Sequence, residues 1–549
     1  MRSHTYIALI LGLIFYCTDL SAQIIDKATL PERLSTAMEK HFGARNPGDP
    51  GGVLLVSIDG EEIYRHIFGL ANLETGTPIT DSTVFEAASV TKQFTAAAIL
   101  TLIDEGRLSL DDDVRTYFPQ LPDYGHTITI RHLLTHTSGL RDWRNVVYLT
   151  PWPTGECLYN EDFAVDLISH QRGINFTPGD QYRYTNAGYD LMGALIEQIT
   201  DTSYADYIKT HLLDPAGMTR SQIRGLYSDI VKNRANGYLT SNGHYIQGSN
   251  LDETYGAAGL QTTAGDLQKW LAYIFSDKVS ASVREMRLTQ FVLNDGTEIP
   301  YANGGVEIHE HNGQMEVNHG GLISGYRAYT AYFPETKVAI TYMSNDRQIS
   351  SVGTSDAVAD VIFGSGPEPY AEMKTITPTQ ALLEKTTGRY QSLSDHSNIL
   401  DLNLKDGFIL RYSDTARFVE NDQFVLGKSL FKFTDQGLEE QTPEGTYTYK
   451  RVTPFSPDET SMAPLLGKYY SSDCDQEITL SVKDGKLISA RAPYDTVRLY
   501  PMYKDGNTIA FRCINNGLRN IYLFTLEPGK KPDLKVSIPR ADNIQFAKQ

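Results

Sequence analysis

Strand patterns stand at both ends of the first 363 residues, with helical patterns between them, and that order restricts the fold more than any other feature. Val53-Leu-Leu-Val-Ser-Ile58, the dipeptide Asp59-Gly60 and residues 61–66 read as a hairpin around a tight turn. Residues 305–311, Asn312-Gly313 and residues 314–319 repeat the arrangement, and strands continue over 326–333 and 338–343. In between, residues 89–105 put Phe94, Ala98 and Leu102 on one helical face before Gly106, and residues 187–200 read as another helix. Strands so far apart with helices between them predict an α+β domain whose antiparallel sheet joins the early and late parts of the chain.

After Gly364-Ser-Gly-Pro-Glu-Pro369, which reads as a linker, the pattern changes to short alternating strands with turns such as Asp406-Gly407 and Asp484-Gly485. An internal echo runs through this region. Gly388-Arg-Tyr390 recurs as Gly467-Lys-Tyr469, and Leu404-Lys-Asp-Gly407 as Val482-Lys-Asp-Gly485. The division expected is an α+β domain over 23–363, a linker over 364–379, and two small antiparallel β-barrel domains over 380–455 and 456–549. One larger sandwich is the alternative for the tail.

A chain of 549 residues exceeds one ordinary core, and its formal charge of −18 argues against a nucleic-acid or anionic-membrane partner. Residues 1–22 read as a secretory signal: Arg2 and His4, an apolar run from Tyr6 to Tyr16, then Ser21-Ala22 before Gln23. The alternative is an uncleaved anchor, but the run is about half a bilayer span. With the signal removed no later segment is apolar enough to cross a membrane, and a periplasmic or secreted protein is expected. The mature chain keeps Cys157, Cys474 and Cys513, too few for a disulfide framework, although Cys474 and Cys513 fall in one domain and can pair.

Three patches carry chemistry. Ser89-Val90-Thr91-Lys92 opens a helix, so Ser89 and Lys92 share a face one turn apart, and a buried lysine can fall from its usual ~10.4 far enough to act as a base. A second copy of the pattern, Ser429-Leu-Phe-Lys432, lies in a strand, where the geometry fails. Tyr184-Thr185-Asn186 supplies a phenol to relay a proton and an amide to contact substrate; alternatively Asn186 merely caps the next helix. Its rival, Tyr301-Ala302-Asn303, only precedes a strand. His319-Gly320-Gly321 ends a hairpin strand whose glycines let substrate lie close, and the N–H groups of Leu322 and Ser89 would form an oxyanion hole. His309 and His311 are spaced as one face of a strand rather than as zinc ligands, so no metal and no cofactor is expected.

With these patches stand Leu108-Ser-Leu-Asp-Asp-Asp113, the stretch from Ile128 through His136-Thr-Ser138-Gly to Leu140, and Gly259-Leu-Gln-Thr-Thr263. Together they resemble the family of class C β-lactamases, penicillin-binding carboxypeptidases, D-aminopeptidases and related esterases, over roughly residues 30–350. The resemblance implies a sheet backed by helices with an all-helical insert. It implies Ser89 as nucleophile, Lys92 as its base partner, Tyr184 as proton shuttle and Asn186, His319, Gly320 and Gly321 as substrate contacts. His319 replaces the lysine of the Lys-Thr-Gly found in true β-lactamases, and a largely neutral histidine is a poorer anchor for a carboxylate. His136 and Ser138 are expected to shape a loop. Some D-aminopeptidases also resemble this layout in carrying two lipocalin-like barrels, one of which lends a loop to the cleft. The expectation is an exported serine hydrolase acting through an acyl-enzyme on a small peptide or ester, favouring D-residue or cell-wall-related substrates. A promiscuous esterase or weak β-lactamase, and a catalytically silent sensor of cell-wall peptides, are the alternatives; nothing in the sequence sets an oligomeric state.

Overall fold

Glycine-containing dipeptides set the registers of the main sheet. Asp59-Gly60 and Asn312-Gly313 each place both residues at positive φ, the conformation that two-residue hairpin turns need to match strand twist. The resulting eight-stranded antiparallel sheet runs, edge to edge, through Gln290–Val292, Glu298–Ala302, Val306–His311, Gln314–Ile323, Tyr326–Phe333, Val338–Ser344, Gly52–Ile58 and Glu61–Phe68. The first hairpin thus docks onto the last strand, Val53 opposite Met343, and the sheet joins the early and late parts of the chain as expected. This computed structural model describes residues 25–549 except 153–156, 250, 368–369, 413, 443–444, 492–494 and 516–517. The proposed leader over 1–22, with Cys17, lies outside the described residues.

Each face of the sheet is covered by helices. Leu30–Phe42 and Ser351–Phe363 pack on one side, where Leu34, Leu54, Val56, Tyr342 and Val358 form a core. On the other side lies the helix Lys92–Asp104, buried on nearly every face, with Phe94 stacked on Trp270 of the helix Ala264–Ile274 at 4.0 Å. An apolar surface all round is what a helix at the centre of a domain requires. The helix Ala187–Thr200 packs beside it and occupies the span read from the sequence. Tyr301, read as standing ahead of a strand, lies within the strand Glu298–Ala302.

Among the described residues eighteen strands follow from Gly388 to Lys548. They form two rolled antiparallel sheets in which the first strand pairs with the last, Gly388–Ser392 with Gly445–Pro454 and Gly467–Ser471 with Ala541–Lys548. The two are linked where Thr453 and Pro454 pair with Lys504 and Tyr503. The echo in sequence is an echo in role: Tyr390 Oη donates to the Lys385 and Thr386 carbonyls, and Tyr469 Oη to that of Leu465, each closing the short helix before its sheet.

Neither sheet is the closed barrel expected. Among the described residues no paired register joins Asp414–Thr415 to Arg417–Val419, or Asp495–Arg498 to Tyr500–Asp505. A single residue separates the members of each couple, so the chain bends onward instead of turning back, and a hairpin cannot form there. Cys474 and Cys513 are buried thiols, and among the described residues no disulfide joins them.

The second sheet is tied to the catalytic part through buried charge. Arg141 meets Asp473 at 2.7 Å with side chains 4% and 7% exposed, and Arg183 meets Asp542 at 2.8 Å. Removing one member of a buried pair strands the other charge, at a cost of ~3–5 kcal/mol. Arg141→Ala is therefore expected to lower the denaturant midpoint clearly; a midpoint matching wild type would show that the pair does not hold the sheet in place.

Candidate active site

Ser89 stands on a 3₁₀ turn, Ala88–Thr91, rather than within the helix, which begins at Lys92. Ala88 just before it adopts φ 48°, a left-handed conformation that an L residue reaches only under constraint. The constraint is visible. A small sheet pairs Phe85–Glu86 with Leu260–Thr262, Ala87 N donates to Leu260 O at 2.8 Å, and Leu260 N donates to Thr91 Oγ1 at 3.2 Å. The Gly259–Thr263 stretch thus braces the turn that carries Ser89, while Thr263 caps the helix Ala264–Ile274.

Lys92 Nζ is fully buried and lies 3.2 Å from Ser89 Oγ, 2.9 Å from Asn186 Oδ1 and 3.0 Å from Ala257 O. Burial lowers its pKa to about 7, opposed by the Asp190 carboxylate. In the neutral amine two hydrogens go to the two obligate acceptors, Asn186 Oδ1 and Ala257 O, which leaves the lone pair facing the Ser89 hydroxyl. Asn186 does not cap its helix: its side chain makes no capping bond, and its Nδ2 donates to Asp142 Oδ2 at 3.0 Å. Asp142 is fully buried and also accepts from the Asn186 and Arg144 N–H groups. Asp190 accepts from Trp143 Nε1 and from Ala257 N, fixing the peptide whose carbonyl holds Lys92.

The Tyr184 ring lies 5.0 Å from Lys92 Nζ. Its buried hydroxyl has no hydrogen-bond partner among the described residues. Burial drives the phenol's pKa well above its usual value, and the neighbouring Ser89 hydroxyl lowers it only in part. Behind it, His136 packs 4.2 Å from the Tyr184 ring and 4.5 Å from that of Tyr301, and its Nδ1 accepts from Thr185 N at 3.2 Å. Burial keeps His136 neutral, so the loop role expected for it extends to positioning Tyr184.

Gly321 is required where the strand crosses the nucleophile turn, since a Cβ there would meet Ala87 O at 2.2 Å. That approach brings Leu322 and Ser89 to one cleft, together with Tyr184, Asn186, His319, Gly320 and Gly321, in a volume of about 1270 Å³. His319 Nδ1 is 2.6 Å from Gly320 O, a pure acceptor, so it carries the hydrogen, and Nε2 accepts from Tyr301 Oη at 3.1 Å. Burial, and the Lys92 charge nearby, lower its pKa to about 4. Both its nitrogens are engaged and the ring is uncharged at neutral pH. Tyr301, the rejected rival, belongs to the site after all, through His319. His309 pairs with Glu307 and His311 with Asp360.

Four participants escaped the sequence reading: Asp142, Asp190, Tyr301 in this role, and Arg540. Asp142 had a local signal, as the N-cap of the short helix Trp143–Val146 two residues beyond Leu140. Arg540 had none. It comes from the turn between the strands Asp533–Ile538 and Ala541–Lys548, and its guanidinium lies 4.8 Å from the Tyr184 ring centre.

This site and fold define a serine hydrolase with a lysine and a tyrosine beside its nucleophile. The Beta-lactamase family model matches residues 37–362, and the chain belongs to that family. It is 28% identical over 358 residues to penicillin-binding protein 4* of Bacillus subtilis, a match covering 62% of this chain and 79% of that one. It is 32% identical over 351 residues to a D-aminopeptidase of Gluconobacter oxydans, covering 63% and 65%. In fold it is similar to the octameric penicillin-binding protein homologue from Pyrococcus abyssi (TM-score 0.54, 21% identity, 95% and 99% covered). D-amino acid amidase from Ochrobactrum anthropi is also similar in fold (TM-score 0.52, 22% identity, 61% and 98% covered).

Proposed function

We propose that the chain is an exported enzyme that cleaves amide or ester bonds in short substrates bearing a D-residue, through an acyl-enzyme on Ser89. The observation that carries this reading is the amine of a fully buried lysine 3.2 Å from Ser89 Oγ. Lys92 takes the hydroxyl proton as Oγ bonds to the scissile carbonyl carbon. The Ser89 and Leu322 amides receive the oxyanion, and the intermediate collapses as the proton held by Lys92 is relayed through the Tyr184 hydroxyl to the leaving group, which restores the neutral amine and the phenol. Water then attacks the acyl-enzyme by the same route in reverse. Lys92 suits the base better than Tyr184, because a phenol with a raised pKa stays protonated at neutral pH. The D-residue preference rests on relatives named D-aminopeptidase, and export on the composition of residues 1–22.

The test is a panel of N-acetyl-D- and N-acetyl-L-aminoacyl anilides, simple acyl esters and a chromogenic cephalosporin. The D-series is expected to lead in kcat/KM. Turnover confined to esters would move the reading to an esterase, and phosphonate labelling of Ser89 without turnover of any substrate would move it to a silent sensor.

A further inference from the structure

Arg540 reaches the cleft from a different part of the chain, and its turn is built to bring it there. Asp142 N and Asn175 Nδ2 both donate to Arg540 O at 3.0 Å, Asn145 Nδ2 donates to Pro539 O, and Asp542 N donates to Asn175 Oδ1 at 2.8 Å. The buried Arg183–Asp542 pair pins the following strand. Arg540 itself adopts φ 64°, where glycine or asparagine is the easier choice, so a side chain is being held at this point against backbone preference.

The guanidinium, 43% exposed, lines the same cleft as Ser89 and Tyr184. It forms an ion pair with the buried Asp142 Oδ2 at 3.6 Å, longer than a hydrogen bond, and Asp142 already accepts from Asn186 and Arg144. Among the described residues the guanidinium makes no hydrogen bond, so its fork of donors stays available. Arg144, the other cation near Asn186, is by contrast bound to Asp252 and Thr254. On the opposite wall Glu307 is engaged by His309, and His319 is neutral. The strand Gln314–Ile323, which holds a lysine in true β-lactamases, thus offers no cation; Arg327 and Lys428 also line the cleft, but Arg540 is the lining cation set against the Tyr184 ring.

We infer that Arg540 is a specificity-determining residue, reading a carboxylate on the substrate close to the scissile bond and disfavouring an ammonium there. Planar bidentate recognition of a carboxylate is the chemistry a free arginine fork performs best. The substrate class becomes N-blocked or acidic D-residue compounds with a free carboxylate, and the rolled C-terminal sheet becomes part of the active site. This rests on the hydrolase reading of the site, so the test is made on binding as well as on turnover.

The experiment uses the full chain carrying Ser89→Ala, titrated calorimetrically with N-acetyl-D-alanine, its neutral carboxamide and D-alaninamide. The carboxylate is expected to bind about tenfold tighter than the carboxamide. Arg540→Gln should bring the two within about twofold, Arg540→Lys should restore part of the gap, and Arg540→Glu should favour D-alaninamide. A carboxylate preference that survives Arg540→Gln, or no carboxylate preference at all, overturns the inference. Lack of turnover by the wild-type chain would count against the hydrolase reading while leaving these binding ratios to decide the role of Arg540.

Discussion

Replacing Ser89 by alanine is expected to lower kcat on any substrate of the enzyme by roughly 10⁴-fold or more, with little change in stability. The side chain is small, partly exposed to the cleft, and held by the brace around Ala87 and Leu260 rather than by its own packing. Its loss removes the atom that becomes acylated and leaves Lys92 bound to Asn186 and Ala257. Steady-state kinetics with thermal melts side by side would separate the two effects. A residual activity within about tenfold of wild type would mean that another group attacks the carbonyl, because an acyl-transfer site without its nucleophile keeps only substrate binding and the oxyanion hole.

The second large effect concerns Lys92 and has a pH signature. With its pKa lowered to about 7 by burial, the amine is protonated below that value and cannot accept the Ser89 proton. The expected kcat/KM falls about tenfold per pH unit below pH 7 and levels off above it. Tyr184 titrates far above this window and His319 below it, so neither produces that limb. Lys92→Met keeps the length of the side chain but has no lone pair of comparable basicity. It is expected to cost about 10²–10⁴-fold and to flatten the limb of whatever activity remains. The same shift acts on stability. A lysine with a depressed native pKa binds fewer protons folded than unfolded between about pH 7 and its ordinary value. Its contribution is therefore full only above that ordinary value, declines as pH falls across the window, and is gone by about pH 7.

Much of the site could be read from residue strings because the chemistry concentrates in short runs. Ser89 and Lys92 are one helical turn apart, so their meeting is decided locally, and Tyr184 and Asn186 lie at the mouth of a helix whose span, Ala187–Thr200, follows from its periodicity. The groups that hold these residues were less legible. Asp190 serves the site only by way of the Ala257 peptide, and Tyr301 only by way of His319, so neither has a local pattern to betray it. His319 shows the limit from the other side: its identity suggested a substrate contact, while its two nitrogens are spent on Gly320 and Tyr301. In the tail, alternation told which side chains face inward, and the repeated Gly-x-Tyr told that two sheets share a plan. Closure is a different property. It depends on whether neighbouring strands reverse or bend, and the single residues Ala416 and Leu499 between strands make the chain bend.

The central claim is that Ser89 carries the acyl group in turnover. Rapid acid quench during hydrolysis of a slow ester, followed by intact mass measurement and peptide mapping, addresses it directly. The account predicts a mass increase equal to the acyl group, located on the peptide containing Ser89 and lost in Ser89→Ala. Turnover with no adduct on that peptide, or an adduct that persists in the alanine variant, would contradict it.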